Sequence, residues 1–164
     1  MIGPKITVDL KDLEKLTKEY PAESQKARAG RMTEALLLLQ REVKSKTPVG
    51  AGPIHLRDTI FHKVNMGGTN ITGILSSPLE YGAPVEYGTK PHFPPVGPLQ
   101  HWVETKLGIS GKEAKSVAYL IARAISRRGT KGAEMFGKGF SENEAAVMRI
   151  LEQIPADIVK AVNA

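Results

Sequence analysis

The side chains that could do chemistry are few and scattered. Four histidines, His55, His62, His92 and His101, are the obvious nitrogen ligands in a chain without cysteine. None stands in an HxxxH or HExxH spacing, which would bring two imidazoles onto one helical face around a metal. They read as separate surface or core histidines. Glu80 and Glu86 lie six residues apart beside Tyr81 and Tyr87, with no second carboxylate motif or water-activating partner to make an acid–base pair. Ser76, Ser77, Ser110 and Ser141 lack the strand–turn–helix setting of a nucleophile elbow. Gly-Thr-Lys occurs twice, at 88–90 and 129–131, but neither copy follows the Gly-rich loop that cradles phosphate. Gly137-Lys138-Gly139 is too bare for that role. No catalytic, cofactor or metal site is therefore expected.

Charge is more informative. The chain has 164 residues and a formal net charge of +6. Residues 112–131 carry Lys112, Lys115, Arg123, Arg127, Arg128 and Lys131 against the single acid Glu113, nearly the whole excess. Such a run can lie on nucleic acid, face an acidic patch on a partner, or simply face solvent. No helix-turn-helix, zinc or RNA-binding signature accompanies it. The absence of cysteine excludes disulfides and thiolate chemistry. The first ten residues lack a basic segment followed by an apolar one, so no secretory signal is expected. Apolar runs such as residues 35–39 fall far short of the roughly 20 residues that span a bilayer. A soluble protein kept inside the cell that makes it, with no membrane partner, is the expectation.

The elements that would position these groups follow from periodicity. Ile6 and Val8 alternate with Thr7, predicting a short strand before a helix over 9–19. Tyr20-Pro21 ends that helix. A longer one is expected over 22–46, with Ala29, Met32, Leu36, Leu39 and Val43 as its apolar stripe and Leu37 and Leu38 widening it. Pro48 ends it, and a turn is expected over 50–53. Alternation predicts strands over 57–65 and 70–76 around a loop at 66–69. In the second strand Ile71, Gly73 and Leu75 share a face. A two-stranded ribbon needs a helix, a third strand or a neighbouring subunit to be stable. Residues 81–87 read as a short helical turn, with a third edge strand as the alternative, followed by Gly88 at positive φ. Four prolines over 90–98 make a stiff strap that buries Phe93 and Val96. Helices follow over 98–107, with Trp102 inward beside Leu99 and Val103, and over 112–127. Residues 129–139, with four glycines, read as a mobile loop whose Met135 and Phe136 offer a partner something apolar. A last helix starts at Ser141, with Glu144 at capping-box spacing and Pro155 set to kink or split it. The sum is one α+β domain: a helical pair at 9–46, a β core at 57–97 and a helical part at 98–164. A small antiparallel sheet would pack on the long N-terminal helix and the C-terminal helices.

Thr47-Pro48-Val49-Gly50, Leu56-Arg57-Asp58-Thr59-Ile60 and Tyr81-Gly82-Ala83-Pro84-Val85-Glu86-Tyr87-Gly88-Thr89 follow one another in order. This succession resembles the small tail-component proteins of long-tailed bacteriophages and prophages. Those proteins carry a Pro-Val-(Asp)-Thr-Gly-x-Leu-Arg-x-Ser-Ile block and then Tyr-Ala-x-x-Val-Glu-Phe/Tyr-Gly-Thr with a Pro-rich aromatic tail. Two departures stand out: Asp-Thr-Gly is replaced by the longer Gly50-Ala51-Gly52-Pro53-Ile54-His55, and the alanine after the tyrosine is Gly82. Some members of that family insert a helix before a Gly-Thr-rich segment, an arrangement that residues 100–140 resemble. The resemblance implies a non-enzymatic virion morphogenesis protein: a minor tail, tail-completion or head–tail joining component. It implies partners among tail or connector proteins, self-association on assembly, and residence first in host cytoplasm and then in the virion. Glu86, Tyr87, Thr89, Lys115, Arg123, Arg127, Met135 and Phe136 are the candidate partner contacts, with Pro48 and Gly88 setting shape. Residues 86–89 have two readings, a local turn or a subunit contact. A basic nucleic-acid-binding protein is the alternative from another class.

Overall fold

Residues 2–9, 13–50, 54–67 and 70–163 are described by the computed structural model. Their order is β1 (Lys5–Asp9), α1 (Glu14–Glu19), α2 (Pro21–Lys46), α3 (Leu56–Thr59), β2 (Phe61–Gly67), β3 (Asn70–Ser76), α4 (Gly82–Tyr87) and β4 (Gly88–Thr89), then α5 (Val96–Leu107), α6 (Gly111–Arg128), β5 (Thr130–Lys131), α7 (Met135–Ser141), α8 (Glu144–Leu151) and α9 (Ile154–Val162). The class is α+β as expected, with a small antiparallel sheet and a long N-terminal helix. The chain groups into two compact units. One comprises residues 1–46, 60–78 and 135–164; the other comprises 47–59 and 79–134.

In the first unit α2 is the organising element. Pro21 opens it with a preset φ and no N–H to satisfy. Its interior is dominated by Ala, Leu, Glu, Lys, Arg and Gln, with Thr33 and Val43 as its β-branched residues. Met32, Ala35, Leu36, Leu39 and Val43 are all buried, each long aliphatic contributing about 1.5–3 kcal/mol on leaving water. Leu37 is 53% exposed, so the stripe is narrower than its sequence predicts. The sheet order is β1-β3-β2, all antiparallel. Thus β3, the second strand of the hairpin, is covered on its other edge by the N-terminal strand. Ile71, Gly73 and Leu75 are buried on the α2 side. Gly73 sits under Met32 and Leu36 so closely that a methyl group there would overlap the Met32 sulfur.

Polar bonds tie the same helix to the sheet. The Arg28 guanidinium donates to the Asn70 carbonyl at 3.0 Å, and the Gln40 amide donates to the Ile60 carbonyl at 2.7 Å. Gln40 Oε1 lies 2.7 Å from His62 Nδ1. Helices α7, α8 and α9 also pack on α2. Lys46 pairs with Glu142 at 2.6 Å, and Arg31 holds Asp157 through two guanidinium bonds, one of 3.1 Å.

Several boundaries differ from the sequence reading, each for a local reason. The expected strand over 57–65 starts instead at Phe61. Asp58 N–H donates to the His55 carbonyl at 3.0 Å and Thr59 Oγ1 to the Leu56 carbonyl at 2.9 Å, which curls residues 56–59 into a turn of helix. The first helix begins at Glu14, because Lys5–Asp9 is strand. The expected start at residue 9 is thus strand, while residues 10–12, most of the expected turn over 50–53 and the loop tip at 68–69 lie outside the described residues. The C-terminal helix is split, as Pro155 requires; Pro155 sits in the first turn of α9. Ser141 does not start α8 but ends α7. Asn143 precedes α8 and ties back through its amide to the Gly139 carbonyl at 2.9 Å.

The expected mobile loop over 129–139 is corrected as well. Residues 130–131 are strand and Met135–Ser141 is helix. Met135 is 0% and Phe136 3% exposed. Burying two large side chains outweighs the entropy that the glycines lose on ordering. Gly139 packs so tightly on Val43 that a side chain would not fit.

In the second unit α5 and α6 form a helical hairpin across residues 108–110, with Gly108 in the left-handed region at φ 68°. Val103, Ala114 and Ala118 are its buried centre, with Val96, Leu99, Ile109, Val117 and Ile121 around them. Val96, Leu99 and Val103 share a face at three- and four-residue spacing. Trp102 sits one residue round the helix and is 38% exposed, against the inward placement expected for it. Phe93, expected to be buried, is 54% exposed.

A clasp and a basic helix face

The two Gly-Thr-Lys triplets meet. Strands β4 and β5 pair antiparallel, Gly88 opposite Lys131 and Thr89 opposite Thr130. The two threonine hydroxyls are 2.9 Å apart, and the Thr130 N–H donates to Thr89 Oγ1 at 3.2 Å. The register continues outward, Ala133 N–H to the Val85 carbonyl at 2.8 Å and Glu134 N–H to the Glu86 carbonyl at 3.0 Å. Three glycines permit this approach. A methyl group on Gly88 would overlap the Thr130 carbonyl oxygen, one on Gly129 that of Thr89, and one on Gly132 that of Glu86. Gly88 also has φ 79°, as its place after α4 predicts, and Gly129 has φ 71°. The triplets are thus a backbone clasp that closes the base of the α5–α6 hairpin.

Beyond the clasp, α6 turns a basic face outward. Ala114, Ala118 and Ala122 are buried, four residues apart. Lys112, Lys115, Arg123, Arg127 and Arg128 are exposed. Between the cations stand Tyr119, 53% exposed, and Leu120, 61% exposed. Sequence reading missed both, because the alanine stripe drew attention to the opposite side. Their signal was a large apolar pair inside a run of charges. Phe93 leans on Tyr119 with ring centroids 6.0 Å apart and planes tilted by 58°. Two grooves share Leu120. One runs between Val96, Lys112, Lys115, Ser116 and Tyr119. The other runs between Arg123, Ala124, Arg127 and Arg128.

Of the expected partner contacts, Lys115, Arg123 and Arg127 come together on this face. Tyr87 is 75% exposed at the end of α4, while Glu86 beside it is buried at 4%. Thr89 lies in the clasp. Met135 and Phe136 belong to the first unit, where Phe136 packs near Gly3; both are buried core residues. Pro48 is exposed after the end of α2. His92 Nδ1 lies 2.9 Å from the Lys90 carbonyl, and among the described residues no three His, Asp or Glu side chains gather into a metal-binding group. No helix of the described residues is long and apolar enough to cross a membrane. Comparison with known protein families, curated proteins and solved structures finds no match.

Proposed function

We propose that this chain is a non-enzymatic structural component of phage virion morphogenesis, a minor tail, tail-completion or head–tail joining protein that acts through protein–protein contacts. It would assemble in host cytoplasm and remain at the tail or the head–tail interface. The family resemblance of residues 47–60 and 81–89 supplies the biological setting. The observation that carries the mode of action is the outer face of α6, where Tyr119 and Leu120 stand exposed between Lys115 and Arg123. An aromatic and an aliphatic side chain left in water among cations have the composition of a contact surface, where aromatic residues and arginine are enriched.

The same cations favour a second reading, binding to nucleic acid. Salt separates the two. Phosphate contacts release counterions, so the logarithm of affinity falls with the logarithm of salt at about 0.9 per phosphate neutralised. A packed protein contact loses much less. Light scattering of the protein alone and mixed with tail-tube or connector proteins, beside duplex DNA binding across a salt series, decides. Defined complexes with tail proteins that persist at high salt support the structural role. A chain that meets no tail protein yet binds DNA with a steep salt slope overturns it.

A further inference from the structure

Two exposed triads in this chain are chemical complements at the same spacing. On α6, Lys115, Tyr119 and Arg123 stand at i, i+4 and i+8, all exposed. On α8, Glu144, Met148 and Glu152 stand at i, i+4 and i+8, also all exposed, with Met148 at 50%. Glu152 keeps helical geometry, since its N–H donates to the Met148 carbonyl at 2.9 Å. In each triad the outer charges are separated by eight residues of helix, about 12 Å. One reads cation, aromatic, cation; the other reads carboxylate, thioether, carboxylate. Because each is symmetric about its centre, the match holds for parallel or antiparallel helices. Among the described residues none of these four charges is in an ion pair, whereas Lys46, Arg31 and Glu14 are.

We propose that α6 of one copy docks on α8 of a second copy, with Met148 against Tyr119 and Glu144 and Glu152 against Lys115 and Arg123. A thioether on an aromatic ring is a favourable contact, and the flanking charges fix the register. The two surfaces are different, so the contact is heterologous. Copies then join head to tail and close into a ring or continue as a helix, rather than pair as a two-fold dimer. The inference deepens the assembly role proposed above and rests on it. Arg149, about 100° round the helix from Met148, lies to one side of the acidic triad.

Charge reversal tests both halves with the whole chain. Variant one is Lys115→Glu with Arg123→Glu; variant two is Glu144→Lys with Glu152→Lys. Light scattering should find the unaltered protein associated and each variant at the mass of one chain, with unchanged circular dichroism and melting. Mixing the two variants should restore association, as alternating copies, because each new face meets its complement. The chain carrying all four reversals should associate alone. Association that survives in both single-face variants overturns the proposal, as does a mixture that stays monomeric. An unaltered protein that is monomeric alone yet binds a connector or tail-tube protein also overturns it, while leaving the assembly role standing. If the unaltered protein is monomeric with every tail protein and binds DNA through Lys115 and Arg123, both are wrong.

Discussion

Thr89 and Thr130, forty-one residues apart in the chain, touch through their hydroxyls at 2.9 Å and sit opposite each other in a two-residue sheet. Each is the middle of a Gly-Thr-Lys triplet. Their pairing demands a near approach of backbone that only glycine at 88, 129 and 132 allows.

Gly88→Val is expected to cost more than about 1 kcal/mol, because a β-branched residue tolerates positive φ poorly and its Cβ would overlap a carbonyl. For a chain of this length each kcal/mol lowers the melting temperature by about 2–4 °C. Gly97→Ala is the control, as Gly97 is helical with open space around it, and it should be neutral or stabilising. Equal melting temperatures for the two variants would show that the clasp backbone is ordinary.

Met32 and Gly73 should be energetically coupled. Gly73→Val overpacks the α2–sheet contact at about 1–3 kcal/mol, and Met32→Ala empties it at about 2–5 kcal/mol. Combined, the new valine fills the space that the methionine left. The double variant should therefore lose less than the sum, with a coupling of about 0.5–3 kcal/mol by urea unfolding. Strict additivity would place the two residues out of contact.

Acid should weaken the first unit through Asp157. The hydrogen bond from Arg31, then the positive charges of Arg31 and Lys160, hold its carboxyl below the usual carboxylate range against a smaller opposing effect of burial. A carboxyl with a depressed folded pKa contributes stability above its unfolded pKa, about 3.9 for Asp, and loses it as pH falls through the lower folded value. Asp157→Asn should thus lower stability at neutral pH and flatten the decline below about pH 4. Urea midpoints from pH 2.5 to pH 7 measure it; parallel curves for the two proteins would exclude the pair as a source of acid sensitivity.

Phe136 and Tyr119 should behave oppositely. Phe136→Ala is expected to cost about 3–5 kcal/mol, as for a filled core position. Tyr119→Ala should cost much less, about 0.5–1.5 kcal/mol for its ring contact with Phe93, while weakening association. Thermal melts and light scattering on the same samples separate core from contact surface.

Much of the fold was legible because local chemistry was strong. Pro21 and Pro48 bracket α2, Gly88 needs positive φ, and Pro155 splits the last helix; each is a constraint set within a few residues. What escaped was set by distant partners. No window around residue 130 shows that it pairs with residue 89, so two weak triplets and a Gly-rich stretch read as unrelated turns and a loop. Met135 and Phe136 looked available because glycines flank them, yet burial among residues far away in sequence decides their state. Trp102 and Val103 are neighbours on one helix, and only the packing of α5 on α6 determines which turns inward. For the interaction surface, the cations were legible from composition. The apolar pair between them needed the orientation of the helix.

The clasp has a consequence for how such a chain can vary. Its paired strands bring residues 89 and 130 side by side, so the chain between them leaves and returns at one place. A two-residue turn would bridge the same gap. The clasp therefore makes the helical hairpin the natural place for exchange. Its length, charge or the whole pair of helices could be exchanged for another recognition arm while the clasp stays the same, and a version trimmed to a bare β-turn would test whether the body folds without it.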